Sequence, residues 1–190
     1  MTDAPVIAIY ADESCLGNQF QNRANPGGAG GLVEYWTGDE WVRRDYWVSE
    51  PDTTNNRMAL RSAIEALALM RKRPCTVHFV SDSQYLVKGM TEWLKGWQAR
   101  GWKRKGGEIE NLELWQELDR IAAEHDVKWN WVRGHEGHVQ NEYADHLATR
   151  AATERTSSGG MVESEYSVWL DEQRDKYNRY LDHFEHAPPE

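Results

Sequence analysis

The sequence has little cysteine and no long apolar run, and both shortages narrow what it can be. Its two cysteines, Cys15 and Cys75, lie far apart with no C-x-x-C partner. Neither a zinc site nor a disulfide framework is indicated, and both read as free thiols of a reducing compartment. No apolar stretch approaches the roughly 18 residues of a membrane span, and the opening MTDAPVIAIY lacks the basic-then-apolar layout of a secretory signal. The expectation is a soluble, cytoplasmic protein without membrane association. Basic charge is scarce as well: 22 Lys and Arg against 31 Asp and Glu leave a net charge of −9. That sum argues against a binder of phosphate backbones.

The sum conceals a segregation. From 153 to 190 there are nine acidic and four basic side chains, so this segment holds −5 of the total and the rest of the chain −4. Within the rest, 95–105 (KGWQARGWKRK) has five bases and no acid, a positive patch able to attract phosphates. A length of 190 residues suits one α/β domain with a modest appendage. The division expected is a domain over 1–152 and an acidic, helical C-terminal extension over 153–190. No internal repeat or long low-complexity segment is present.

Hydrophobic patterning supplies the order of elements. The run VIAIYA at 6–11 is apolar throughout and ended by Asp12, as in a strand buried on both faces. Asn25-Pro-Gly-Gly-Ala-Gly-Gly31 reads as a turn, and 32–36 and 41–48 around Thr37-Gly38-Asp39 read as a hairpin. Apolar residues at 58, 60, 63, 64, 67 and 70 have helical spacing. A strand is expected at 75–80, parallel to the first because a helix separates it from the hairpin. Helices at 83–97 and 109–124, a strand at 127–132, a helix at 140–152 and a further helical pattern through Trp169 and Tyr180 complete the reading. The outcome is an α/β fold with a mixed five-stranded sheet, an antiparallel meander plus parallel strands, flanked by helices.

In such a sheet the carboxyl ends of neighbouring strands form the ligand crevice. Asp12 and Asp82 would face each other there, and Asp145, near the start of a later helix, can complete a cluster. Three carboxylates repel unless a cation sits among them, and oxygen ligation suits Mg²⁺ or Mn²⁺. Such sites serve in-line attack on phosphorus with two metal ions.

At these residues the chain resembles a known family. Asp12-Glu-Ser-Cys-Leu-Gly-Asn18, Thr53-Thr-Asn-Asn-Arg-Met58, Ser81-Asp-Ser-Gln-Tyr85, Trp129-Asn-Trp-Val-Arg-Gly-His135 and Asn141-Glu-x-x-Asp145 are similar to the motifs of type 1 ribonuclease H, in the family's order, from about residue 6 to 152. The resemblance implies a ribonuclease H-like fold and an endonuclease that cuts the RNA strand of RNA–DNA hybrids with two Mg²⁺ ions, Mn²⁺ substituting. It implies that Asp12 bridges both ions, that Asp82 and Asp145 hold one each, and that His135 assists proton transfer and product departure. By the same likeness Cys15, Asn18, Asn55, Asn56 and Gln84 contact RNA 2′-hydroxyls and base edges, and Thr54 and Arg57 form a DNA-phosphate pocket. Trp93, Trp97 and Trp102 with Lys95, Arg100, Lys103 and Lys105 resemble the basic protrusion of the cellular subgroup. No obligate protein partner is evident.

One departure bears on activity. The family's fourth carboxylate, a glutamate after Arg-Met, is here Ala59. Glu65 cannot replace it, because six residues of helix turn its side chain about 120° away. Glu13, in place of the family's usual glycine, is not expected to replace it either, since neighbouring strand residues point to opposite faces. The expectation is a nuclease inactivated or strongly weakened by Ala59, an introduced substitution in preference to a natural one. The alternatives are a naturally non-catalytic hybrid-binding protein and a DNA-cutting recombinase relative.

Several signals have plainer readings. Asp145 alone would be a solvated acid, and Asn55 and Asn56 alone would be helix caps. The Gly27 to Gly31 run lacks the G-x-x-x-x-G-K-[ST] pattern of a phosphate loop, and His135-Glu-Gly-His138 lacks zinc-protease spacing. Trp93 and Trp97, four apart, serve core packing as well as DNA contact. Trp129 and Trp131 alternate with polar residues, which one covered sheet face explains. For the acidic extension three roles stay open: a helix docked on the body, a dimer contact, or an electrostatic mimic competing for the basic patch.

Overall fold

The computed structural model describes residues 5–17, 23–134 and 136–186. Asn18 and His135 therefore lie outside the described residues. Strands β1 (Val6–Cys15), β2 (Gly27–Trp36) and β3 (Trp41–Glu50) form the antiparallel meander, followed by α1 (Asn55–Ala68) and β4 (Thr76–Ser81). Then come α2 (Gln84–Lys88), a π-helical turn at Gly89–Trp93, α3 (Leu94–Ala99), α4 (Leu112–Ala122), β5 (Asp126–Trp131) and α5 (Val139–Glu154). The extension contributes β6 (Val162–Glu163) and α6 (Tyr166–Tyr177). The sheet order is β5-β4-β1-β2-β3-β6, with β1, β4 and β5 mutually parallel. No described helix is long and apolar enough to cross a membrane.

The sheet has six strands rather than the expected five, because Val162 and Glu163 pair with Asp45 and Arg44 on the edge of β3. Two residues of extension thus cover a strand edge that would otherwise present unpaired backbone groups. β1 also runs four residues further than its apolar run suggests, so Asp12 lies within the strand. Its antiparallel partner continues alongside it to Cys15, opposite Gly27, whereas its parallel partner stops at Ala11, opposite Ser81.

The glycine run 27–31 is strand, not turn. β-carbons on Gly28 and Gly30 would collide with α5, at Ala148 and at Leu147, the latter at 2.8 Å. These glycines let a helix lie directly on the sheet backbone. Pattern reading took them as punctuation because glycine's usual meaning is conformational freedom, and here its meaning is small size.

The segment 83–97 is not one uniform helix. A β-carbon at Gly89 would overlap the Trp115 indole, and Thr91 Oγ1 donates to Val87 O at 2.7 Å. A tight helix approach and a hydroxyl back-bond together displace the ladder into a π turn. α4 starts later than expected, after Asn111 takes a left-handed φ of 55°. Its Trp115 and Leu118 are fully buried with Phe79, Leu60 and Leu67 in the main core beneath α1. A second cluster on the opposite face joins Leu32, Tyr143 and Leu147 to Tyr166, Trp169 and Leu170 of the extension.

Candidate active site

β4 ends beside Ala11 of β1, four residues before β1 itself does, and the geometry at that level builds the site. Asp12 lies one residue beyond the last β1–β4 pair, and Asp82 follows the last residue of β4. Ser83 then caps α2, accepting from Leu86 N at 3.2 Å, while Ser81 Oγ accepts from Ser83 N at 3.1 Å. These bonds fix the backbone on both sides of Asp82. Asp12 is buried, and its Oδ1 accepts the Glu13 amide at 2.7 Å.

Ligand oxygens of Asp12, Glu13 and Asp82 all lie within 4.8 Å of one another. Glu13 is thus inside the cluster that strand alternation was expected to keep it out of. The two side chains do alternate, Asp12 opposite Gly30 on the α5 face and Glu13 opposite Ala29, which packs with Met58 of α1, and their carboxylates meet just beyond the last β1–β4 pair, where no β4 residue lies beside them. Asp145, in the second turn of α5, stands outside this trio yet near enough to act on it electrically. Burial raises the Asp12 pKa well above the carboxylate range, with Glu13, Asp82 and Asp145 adding repulsion and the Glu13 amide opposing it. Burial followed by Asp82 and Asp145 pushes Glu13 up to about 8. A crowded, desolvated set of oxygens with this much mutual repulsion fits a divalent cation. Ala59 is buried in the main core on α1.

The substrate-side residues are placed less uniformly. Thr54, not Asn55 or Asn56, caps α1, its Oγ1 accepting from Arg57 N at 3.2 Å. Thr54, Asn55 and Gln84 are exposed, while Asn56 and Arg57 are half-buried. Glu50, which sequence reasoning passed over, holds Arg57 at 3.2 Å and Arg61 at 3.1 Å. The Cys15 thiol reaches Thr53 O at 3.4 Å, tying the end of β1 to the entry of α1. Both cysteines are free.

In the basic segment 95–105, Lys95, Arg100, Lys103, Arg104 and Lys105 are exposed. Trp97 is core, packed edge-on to Trp115 at 5.4 Å, whereas Trp93 and Trp102 are half-buried. Tyr85, a second residue not singled out from sequence, organises this wall: it accepts from Trp115 Nε1 at 3.0 Å and donates to Glu110 O at 3.3 Å. A cavity of about 310 Å³ opens there, between Tyr85, Trp93, Trp97, Arg104, Ile109 and Glu110. Of the β5 pair, Trp129 packs on Phe79 at 5.0 Å, but Trp131 is 44% exposed.

A family model described as RNase H matches residues 4–153. The chain belongs to the RNase H family. It is 49% identical over 154 residues to the ribonuclease H of Pelobacter propionicus, covering 80% of this chain and 88% of the relative. It is 46% identical to the ribonuclease HI of Pseudomonas aeruginosa over 155 residues, covering 81% and 98%. Among solved structures it is similar to LC9-RNase H1, described as a type 1 RNase H with the type 2 active-site motif. The two share 56% identity with a TM-score of 0.82, over 88% of this chain and 81% of that one. The RNase H domain of PFV, at 18% identity and a TM-score of 0.67, shares the fold.

Proposed function

We propose that this chain hydrolyses the RNA strand of RNA–DNA hybrids, and that Glu13 supplies the carboxylate absent at position 59. The observation carrying this is the approach of Glu13 to Asp12 and Asp82 within 4.8 Å. The reading of Ala59 as inactivating required that no other carboxylate reach the site, and Glu13 removes that premise. A departure from the type 1 pattern also has a precedent, since the relative at 56% identity is described as carrying the type 2 motif.

Asp12, Glu13, Asp82 and Asp145 would hold two Mg²⁺ or Mn²⁺ ions. Bound there, the ions would activate water and neutralise the departing oxygen. The Glu13 amide keeps the Asp12 carboxylate turned into the site. Arg57, braced by Glu50, and Thr54 receive a DNA phosphate. Asn55, Asn56, Gln84 and Cys15 line the path of the RNA strand, with Asn18 and His135 assigned to substrate contact and proton transfer by family likeness. The exposed cations at Arg100 and Lys103 beside Trp93 and Trp102 receive the DNA strand. The two free thiols agree with a cytoplasmic setting, and no obligate partner is invoked.

The test presents labelled RNA–DNA, RNA–RNA and DNA–DNA duplexes, with Mg²⁺ or Mn²⁺, to this chain and to its Ala59→Glu form. Cleavage confined to the hybrid's RNA strand by the unaltered chain is expected. An inert chain that Ala59→Glu restores would reinstate inactivation at position 59. Binding without cleavage by both forms would instead mark a non-catalytic hybrid binder.

A further inference from the structure

Asp82 is contacted from behind by the segment that leaves β5. Val132 N donates to Ser81 O at 3.0 Å, carrying the parallel pairing one residue past the end of β5. Trp131 Nε1 donates to the main-chain oxygen of Asp82 at 2.9 Å. This accounts for a large indole left 44% exposed: its position serves the bond. Three residues after Trp131, Gly134 lies against the Asp82 side chain. A β-carbon built there would overlap Asp82 Oδ2 and stand 3.4 Å from its Cγ.

We infer that Trp131 and Gly134 are positioning residues that set the Asp82 carboxylate for cation binding, the indole holding its backbone and the bare Cα of Gly134 leaving room for its oxygen. This rests on the reading of Asp82 as a metal ligand. Gly134 has no left-handed φ, whereas Gly137, three residues on, has φ +83° and open space around its β-position. The two glycines are therefore required for different reasons. Alanine at 134 introduces contact without backbone strain, and alanine at 137 introduces strain without contact.

The experiment measures Mn²⁺ binding by calorimetry and Mn²⁺ paramagnetic resonance, with no nucleic acid present. The proteins are the full chain, Gly134→Ala, Trp131→Phe and Gly137→Ala, with melting temperatures taken alongside. Gly134→Ala and Trp131→Phe are expected to weaken binding by about 10- to 100-fold, the range for residues that orient a metal ligand, while Gly137→Ala binds like the parent. Trp131→Phe keeps an aromatic ring on the half-exposed surface and removes the indole N–H donor, so it stands as the second variant should Gly134→Ala fold poorly. Parental affinity in both Gly134→Ala and Trp131→Phe, or equal weakening in Gly137→Ala, would overturn the inference and leave the metal site standing. A parent that binds no Mn²⁺ would overturn both.

Discussion

Asp12 and Glu13 are adjacent on a strand, and their carboxylates nonetheless share one site. Alternation still sets the two side chains on opposite faces of β1, but β1 has no β4 partner past Ala11, and both carboxylates come within reach of Asp82 just past the end of β4. The motifs singled out Asp12, Asp82 and Asp145, but the approach of Glu13 to Asp12 and Asp82 became visible only once the relative lengths of β1 and β4, neighbours in the sheet but remote in sequence, were known. The cluster also makes stability depend on pH. With Glu13 raised from an ordinary 4.5 to about 8, and Asp12 moved the same way, the metal-free folded state binds more protons than the unfolded chain across that window. Stability complete below about pH 4.5 is then lost as pH rises through about 8. Melting in EDTA should fall between pH 5 and pH 8, roughly the window set by these shifts. Saturating Mg²⁺ should flatten the fall, because the cation takes the place of the protons. A Glu13→Gln protein with the parental pH slope would contradict this assignment.

α5 is packed on two sides. Its inner face lies on glycines of β2, and its outer face is gripped by the extension. Tyr143 donates to Asp45 Oδ2 at 2.5 Å, and the same carboxylate accepts from Ser164 Oγ at 2.6 Å and Glu165 N at 3.1 Å. Asp45 thereby joins β3, α5 and the extension with three donors around one buried charge. Trp169 packs on Tyr143 at 5.2 Å and on Tyr180 at 5.8 Å. The helical pattern at Trp169 was legible, but the helix ends at Tyr177 and Tyr180, expected within it, takes a left-handed φ of 55° beyond it; the docking was not legible, since the partners Leu32, Asp45 and Tyr143 are remote in sequence. Trp169→Ala should cost about 3 kcal/mol in urea unfolding, the usual range for an emptied aromatic site. A cost under about 1 kcal/mol, typical of a surface substitution, would mean the extension merely rests on α5.

Over the whole molecule, charge is arranged by face. The extension lies on the α5 side of the sheet, where Arg43 pairs with Glu34 and Glu185, both at 3.0 Å, and Arg150 meets Glu165 at 3.3 Å. The acidic tail is thus held by cations of the body around β3 and α5, while the exposed lysines and arginines of 95–105 belong to the segment after the π turn. Docking on the body, one of three roles open from sequence, is what the described residues display. The overall sheet and the order of elements were legible because apolar runs and helical spacing are local signals. The sixth strand was not, because a two-residue edge pairing leaves no such pattern. The most direct measurement is single-turnover cleavage of an RNA–DNA hybrid in Mg²⁺ by the parent, by Glu13→Ala and by the double variant Glu13→Gly with Ala59→Glu. The account predicts that Glu13→Ala loses more than the roughly 100-fold typical of an outer-shell partner while staying folded, and that the double variant recovers much of the rate. A Glu13→Ala protein cutting at the parental rate would contradict it.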